Sequence, residues 1–233
     1  MRNLKKYSNH SGYSADERAL GCNVSICKNE SHTHYDKNFP YDSKVVYIDI
    51  PANAYIDSGI IPTDSTGFSY KGQRFTSPAV AFIGYRHGSA TATYFYIYGY
   101  NSVGVFSHID INTNVSYSSV TTDYDQIVEY KMNLYNSRKV ACDDIVSDYI
   151  LPSLSFVPNS TMYVGAVHVS NNNALQSSGR TRCYGCVITE GDKIVRDYVP
   201  VRVGEVGYLY DRVSGQLFGN AGTGTITVGN DAI

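Results

Sequence analysis

The sequence predicts an all-β protein: a two-sheet antiparallel sandwich over residues 43–233, behind a short extended arm over residues 1–42. Three observations carry this expectation. Short apolar runs with period-two alternation follow one another from Lys44 to Phe218, separated by Gly, Asn, Asp and Ser turns, while patterns of period 3.6 are almost absent. Tyrosine is the compositional outlier at 22 residues; it suits a pleated, half-buried surface and places its hydroxyl where core meets water. Glycine, at 20 residues, supplies turns.

The elements follow in order. Residues 1–42 carry Lys5, Lys6, Arg18 and Lys28 with His10, His32 and His34, and hold too little apolar material for a core of their own. Within them Tyr13–Leu20 fits a helical turn or two, Asn23–Cys27 alternates like a single strand, and Asn38–Asp42 reads as a turn. Two readings stay open: an arm ordered by a partner, or an edge strand folded onto its own domain. From there strands are expected at Lys44–Ile50, Tyr55–Pro62, Ala79–Tyr85, Thr93–Tyr100 and Val103–Ile111. Ile127–Leu134 and Lys139–Cys142 form a hairpin around Asn136-Ser137, and Asp143–Leu151 is the one short helix or helical turn expected in the domain. Met162–Val169, Thr181–Thr189, Lys193–Val201, Val206–Tyr210 and Gln216–Phe218 complete the set. Thr189–Lys193 and Asp211–Gly215 are turns with a glycine to take positive φ.

Composition narrows the function. A 42% hydrophobic and 17% charged chain of 233 residues can bury one large sandwich core. Its formal net charge of -2 provides no basic field for a nucleic-acid backbone. No apolar run approaches the roughly 18 residues of a membrane span. Met1–Tyr7 has the charge of a secretory n-region without an apolar stretch behind it, so synthesis in a cytoplasm is expected. The cysteines, Cys22, Cys27, Cys142, Cys183 and Cys186, are odd in number. Cys183-x-x-Cys186 has redox or zinc spacing, but positions i and i+3 of a regular strand face opposite sides, and no second ligand pair stands at a suitable distance. Buried thiols and no metal are expected.

The C-terminal third carries a resemblance. Gly191-Asp192-Lys193-Ile194-Val195-Arg196-Asp197-Tyr198-Val199-Pro200-Val201-Arg202, then Gly207–Asp211, Ser214–Phe218 and Asn220–Gly224, is similar to the end of LamG-like, concanavalin-type jelly rolls of gut bacteria and their phages. Ala54–Thr63 looks like the opening strand of that family, and Tyr163–Ala166 like the strand before its closing hairpin. The resemblance spans about residues 45–230, strongest at its two ends, and implies a concanavalin-like jelly roll without implying a ligand. Leu4–Tyr7, Tyr13, Asn23–Cys27 and His34-Tyr35 resemble the opening segment of structural proteins of crAss-like and related Bacteroides phages. That likeness implies an arm docking on capsid or fibre proteins through Tyr7, Tyr13, Val24, Ile26 and Tyr35, by adding a strand to a sheet edge, and a place in the virion.

Catalytic chemistry is not expected. Glucanases of this architecture carry Glu-x-Asp-x-x-Glu, since retaining hydrolysis needs two carboxyls about 5 Å apart; the motif is absent. Asp123, Asp125 and Glu129 cannot share one strand face, and read as a solvated turn and strand start. His108-x-Asp110 reads as a surface pair, and Asp110–Asn114 lacks the glycine and downstream acid of a calcium loop. No cofactor is expected. The binding candidate is Tyr94, Tyr96, Tyr98 and Tyr100, which share one face of a strand while Phe95 and Ile97 take the other. Such a row suits a sugar ring, a neighbouring subunit of a homo-oligomer, or internal packing with hydroxyls at the rim. The expectation is therefore a non-enzymatic virion appendage (head fibre, capsid decoration or tail-associated protein) exposing a lectin-like jelly roll, the alternative being a bacterial carbohydrate-binding module.

Overall fold

The computed structural model describes residues 39–232, apart from 76–78, 88–92, 101–104, 113–115, 123–124, 134, 136–138, 147–149, 152, 155–156, 170–173 and 177–178; at 79, 93–100, 105–112, 116–122, 140 and 174–176 the description is of the backbone. Every regular element among the described residues is a strand. In chain order these are β1 (Ser43–Lys44), β2 (Ile48–Ile50), β3 (Ile56–Asp57), β4 (Thr66–Arg74), β5 (Ala79–His87), β6 (Thr93–Tyr100) and β7 (Val105–Asn112). Then come β8 (Ser116–Thr122), β9 (Ile127–Asn133), β10 (Lys139–Cys142), β11 (Ile145–Val146), β12 (Tyr163–Val164), β13 (Val167–Val169) and β14 (Ala174–Gln176). The last five are β15 (Thr181–Glu190), β16 (Lys193–Val203), β17 (Val206–Asp211), β18 (Gln216–Phe218) and β19 (Thr227–Val228).

They form two sheets, a jelly-roll sandwich. The larger runs β11-β10-β9-β4-β15-β16-β17-β18, with β1 on β16 and β2 bridging β15 and β19. The smaller runs β14-β13-β5-β6-β7-β8, with β12 joining β3 and β5. Among the described pairings all are antiparallel except β13 on β5. Alternation decides which side chains fill the space between the sheets. On β4, Phe68, Tyr70, Gly72 and Arg74 are buried while Ser69, Lys71 and Gln73 point away; on β9, Val128, Tyr130 and Met132 are buried while Ile127, Glu129 and Lys131 point away. Phe82 of β5 reaches across to Tyr70 and Tyr130, with ring centroids 5.4 and 5.0 Å apart, and locks one sheet onto the other.

The three expected hairpins are present, β9 with β10 among them. β15 and β16 meet at a turn in which Gly191 takes φ +60°, and β17 and β18 meet at Asp211–Gly215. The second turn is organised by Asp211, whose wholly buried carboxylate accepts from the amides of Asp197 (2.8 Å), Val213 (3.1 Å) and Ser214 (3.2 Å) and from the Ser214 hydroxyl (2.6 Å). Met162–Val169, expected as one strand, is two. The chain reverses at Gly165, where φ is +83° and a Cβ would lie 2.7 Å from Cγ2 of Ile50, so β12 runs antiparallel to β5 and β13 parallel to it.

Three further expectations are corrected. Asp143–Leu151 does not begin as a helix: β10 turns directly into β11 through Asp143-Asp144, with Asp143 at φ +50° and its carboxylate accepting from the Glu129 amide at 2.8 Å. Lys44–Ile50 is divided into β1 and β2, because Val45 bridges to Asp231 while Ile48–Ile50 joins β15. Cys183 and Cys186 do not face opposite sides. A bulge at Tyr184-Gly185 resets the alternation of β15, and both thiols lie in the core.

Met1–Asn38, and with it Tyr7, Tyr13, Val24, Ile26 and Tyr35, lies outside the described residues. The residues just after it join the sandwich: Phe39 and Tyr41 stack at 5.1 Å and both rings meet Tyr210, while the Asp42 amide donates to the Arg202 carbonyl at 2.9 Å.

Candidate functional site

Residues directly opposite one another in an antiparallel sheet share a face, so the register of the large sheet sets out its outward surface row by row. One row crosses β2, β15, β4 and β9 as Asp49, Arg182, Gln73 and Ile127. The next sets Lys71 against Glu129. A third runs Asp197, Val187, Ser69, Lys131, Ala141, Val146, and a fourth Thr189, Gly67, Asn133, Lys139. The bulge that turns both cysteines inward is also what keeps Arg182 and Val187 on the same outward face.

The first row forms a polar and aromatic cluster. Asp49 is almost wholly buried, and Arg180 and Arg182 both bond its carboxylate: the Arg180 Nε donates to Oδ1 at 2.6 Å and the Arg182 Nε to Oδ2 at 3.3 Å. The bond to Asp49 holds the Arg180 guanidinium above its ordinary pKa. The Arg182 guanidinium lies between two rings, 4.2 Å from the centroid of Tyr47 and 4.7 Å from that of Phe75. Gln73 Oε1 accepts from the Tyr184 hydroxyl at 2.8 Å and from Arg182 Nη1 at 3.2 Å. This end of the face is fixed by its own bonds.

The third and fourth rows enclose a shallow groove of about 420 Å³. Val187 at one end and Ala141 and Val146 at the other give it apolar surface; Ser69 and Lys131 stand between them, with Thr189, Asn133 and Lys139 in the next row. Beside the groove, Glu129 accepts from the Ser69 hydroxyl at 2.5 Å and pairs with Lys131 at 2.9 Å. Burial acts to raise its pKa, but the Ser69 and Lys131 bonds, with Lys71 nearby, outweigh it and hold Glu129 below the ordinary glutamate range. Each of the three carboxylates of these rows is ion-paired: Asp49 with Arg180 and Arg182, Glu129 with Lys131, and Asp197 with Arg212. Among the described residues no three His, Cys, Asp or Glu side chains gather as a metal site. Burial pushes Cys183 and Cys142 up to about 12 and raises Cys186 as well, so the core thiols stay protonated.

The residues singled out in the sequence lie elsewhere. Tyr94, Tyr96, Tyr98 and Tyr100 are on β6 in the small sheet, paired with Arg86, Gly84, Ala81 and Ala79 of β5; their side chains lie outside the described residues. Asp123 is also outside them, and Asp125 sits in the turn before β9. The groove residues come from β4, β9, β10, β11 and β15. Their signal was present in the alternation Phe68-Ser69-Tyr70-Lys71, but glycines at 67 and 72 break the pattern on either side.

No family model matches the chain, and no curated protein matches it. Among solved structures, it is similar in fold to a protein of Bacteroides ovatus described as a "putative carbohydrate binding protein", with a TM-score of 0.51 and 11% sequence identity. The match covers 82% of this chain and 61% of the length of that protein. At that identity the likeness is one of fold.

Proposed function

We propose that this chain is a non-catalytic carbohydrate-binding sandwich whose ligand lies along the outward face of the large sheet, in the groove between β10 and β15. The observation that carries the reading is the make-up of the groove: aliphatic surface at Val187, Ala141 and Val146 for the C–H face of a sugar ring, beside hydroxyl, amide and amine groups for its hydroxyls. The description of the Bacteroides ovatus fold neighbour supports it, and supports it better than the virion appendage expected from residues 1–42. Asp49, Glu129 and Asp197, the acids of these rows, are each held in ion pairs, which suits binding rather than proton transfer.

The test is affinity electrophoresis and calorimetry against a panel of plant, bacterial and animal polysaccharides, with Ala141→Phe as the groove-filling variant. Ala141 is partly exposed on the outward face, so the larger ring enters the groove and not the core. The variant should keep its melting temperature and lose at least about ten-fold in affinity, about 1.4 kcal/mol. A ligand bound equally by both proteins would remove the groove from the account.

A further inference from the structure

The charges of this face are unbalanced in one direction. Each outward carboxylate on β2, β4, β9, β10 and β15 is faced by two cations: Asp49 by Arg180 and Arg182, Glu129 by Lys131 and, within Coulomb range, Lys71. On β16, Asp197 is matched by Arg212 at 2.7 Å. Lys139 then adds a further positive charge at the groove itself, opposite Asn133 and diagonal to Lys131. Among the described residues lining the groove there is no acid. The chain as a whole carries a formal net charge of -2, so this positive face is a local arrangement and not a share of a basic surface.

Two ammonium groups on one side of an apolar groove do more than hydrogen-bond hydroxyls. On diagonal positions of adjacent strands their stems start roughly 7–8 Å apart, close enough for both amines to reach one anionic group or two on consecutive sugar residues. Lys131 is already shared with Glu129, which fixes its amine at the groove's edge and leaves donors over, since an ammonium carries three. Resting on the carbohydrate reading above, we infer that the groove selects an acidic polysaccharide, one carrying carboxylate or sulfate groups, through Lys131 and Lys139.

The experiment compares polygalacturonate with its methyl-esterified form, which keeps the backbone and hides the charge, beside chondroitin sulfate and a neutral galactomannan. The wild-type protein should bind polygalacturonate or chondroitin sulfate at least about ten-fold more tightly than the ester or the galactomannan, and the preference should shrink as salt is raised. Which acidic polymer wins tells carboxylate from sulfate. Lys139→Gln and Lys131→Gln, both on outward positions, should each shrink the preference for the acidic over the neutral polymers about five-fold, whatever small loss of hydroxyl contacts both kinds of polymer share. If the ester or the galactomannan binds as tightly as either acidic polymer, and Ala141→Phe abolishes that binding, the charge inference falls while the carbohydrate reading stands. Acidic binding that ignores both lysine variants overturns it as well. If no polysaccharide binds, both fall together.

Discussion

Asp211→Asn exchanges one carboxylate oxygen for an NH2 group and should cost the fold dearly. The carboxylate receives donors at both oxygens: the amides of Asp197 and Val213 at Oδ1, the amide and hydroxyl of Ser214 at Oδ2. Arg196 stands 3.7 Å away as the partner charge. An asparagine keeps one acceptor oxygen and turns an NH2 toward the donors on the other side. The Ser214 hydroxyl can rotate to accept from it, but one backbone N–H must lose its bond, and the bonds that survive lose their charge assistance. A hydrogen bond to a charged group contributes roughly 1.5–3 kcal/mol, and a buried donor left unmet costs a similar amount, so the substitution should cost about 3 kcal/mol. The assay is equilibrium urea unfolding of wild type and variant followed by tyrosine fluorescence. With a slope of roughly 2 kcal/mol/M for a domain of this size, the midpoint should fall by about 1.5 M with the slope unchanged. A fall under about 0.3 M would refute the claim that this carboxylate organises the closing hairpin.

Two further outcomes follow from the titrating groups. Cys142, Cys183 and Cys186, buried and held protonated, should resist iodoacetamide in the native protein at neutral pH and react on denaturation; peptide mass spectrometry reads each site, and native labelling of Cys183 or Cys186 would contradict the bulge geometry. Glu129 has a lowered pKa in the folded chain, so its contribution to stability is present above the ordinary glutamate value and is lost as pH falls through that value toward the folded one. Thermal unfolding measured from neutral pH down to about pH 3 should therefore lose less stability in Glu129→Gln than in wild type, and parallel curves would show that the Ser69 and Lys131 bonds do not matter.

Much of the fold is legible in the residues because local rules suffice for it. The turns at Gly191 and at Asp211–Gly215 contain their own chemistry, and the strands they join alternate cleanly. Thr66–Arg74 escapes local reading although it lies at the centre of the large sheet. Its inward positions are Phe68, Tyr70, Gly72 and Arg74, so half of its core face is not aliphatic or aromatic, and only its neighbours β9 and β15 make it a strand. Asp143 misleads because an acid at a chain reversal serves a helix start and a tight turn equally well; the positive φ that decides between them is set by the pairing of β10 with β11. The two inward cysteines depend on a bulge, which shifts parity without leaving a mark in the spacing. The groove was beyond reach for a different reason. Ser69, Val187 and the hairpin of Lys131 and Lys139 are distant in sequence and become neighbours only through the strand order β10-β9-β4-β15.

The central claim is that the ligand sits on the large sheet and not along the tyrosines of β6. Hydroxyl-radical footprinting of the full chain, with and without the polysaccharide it binds best, separates the two faces in one measurement. Protection concentrated on the peptides holding Phe68–Lys71, Lys131–Asn133, Lys139–Ala141 and Val187–Thr189, with Thr93–Tyr100 unchanged, is the predicted result. Protection of Tyr94, Tyr96, Tyr98 and Tyr100 with the large-sheet peptides unchanged would contradict the account.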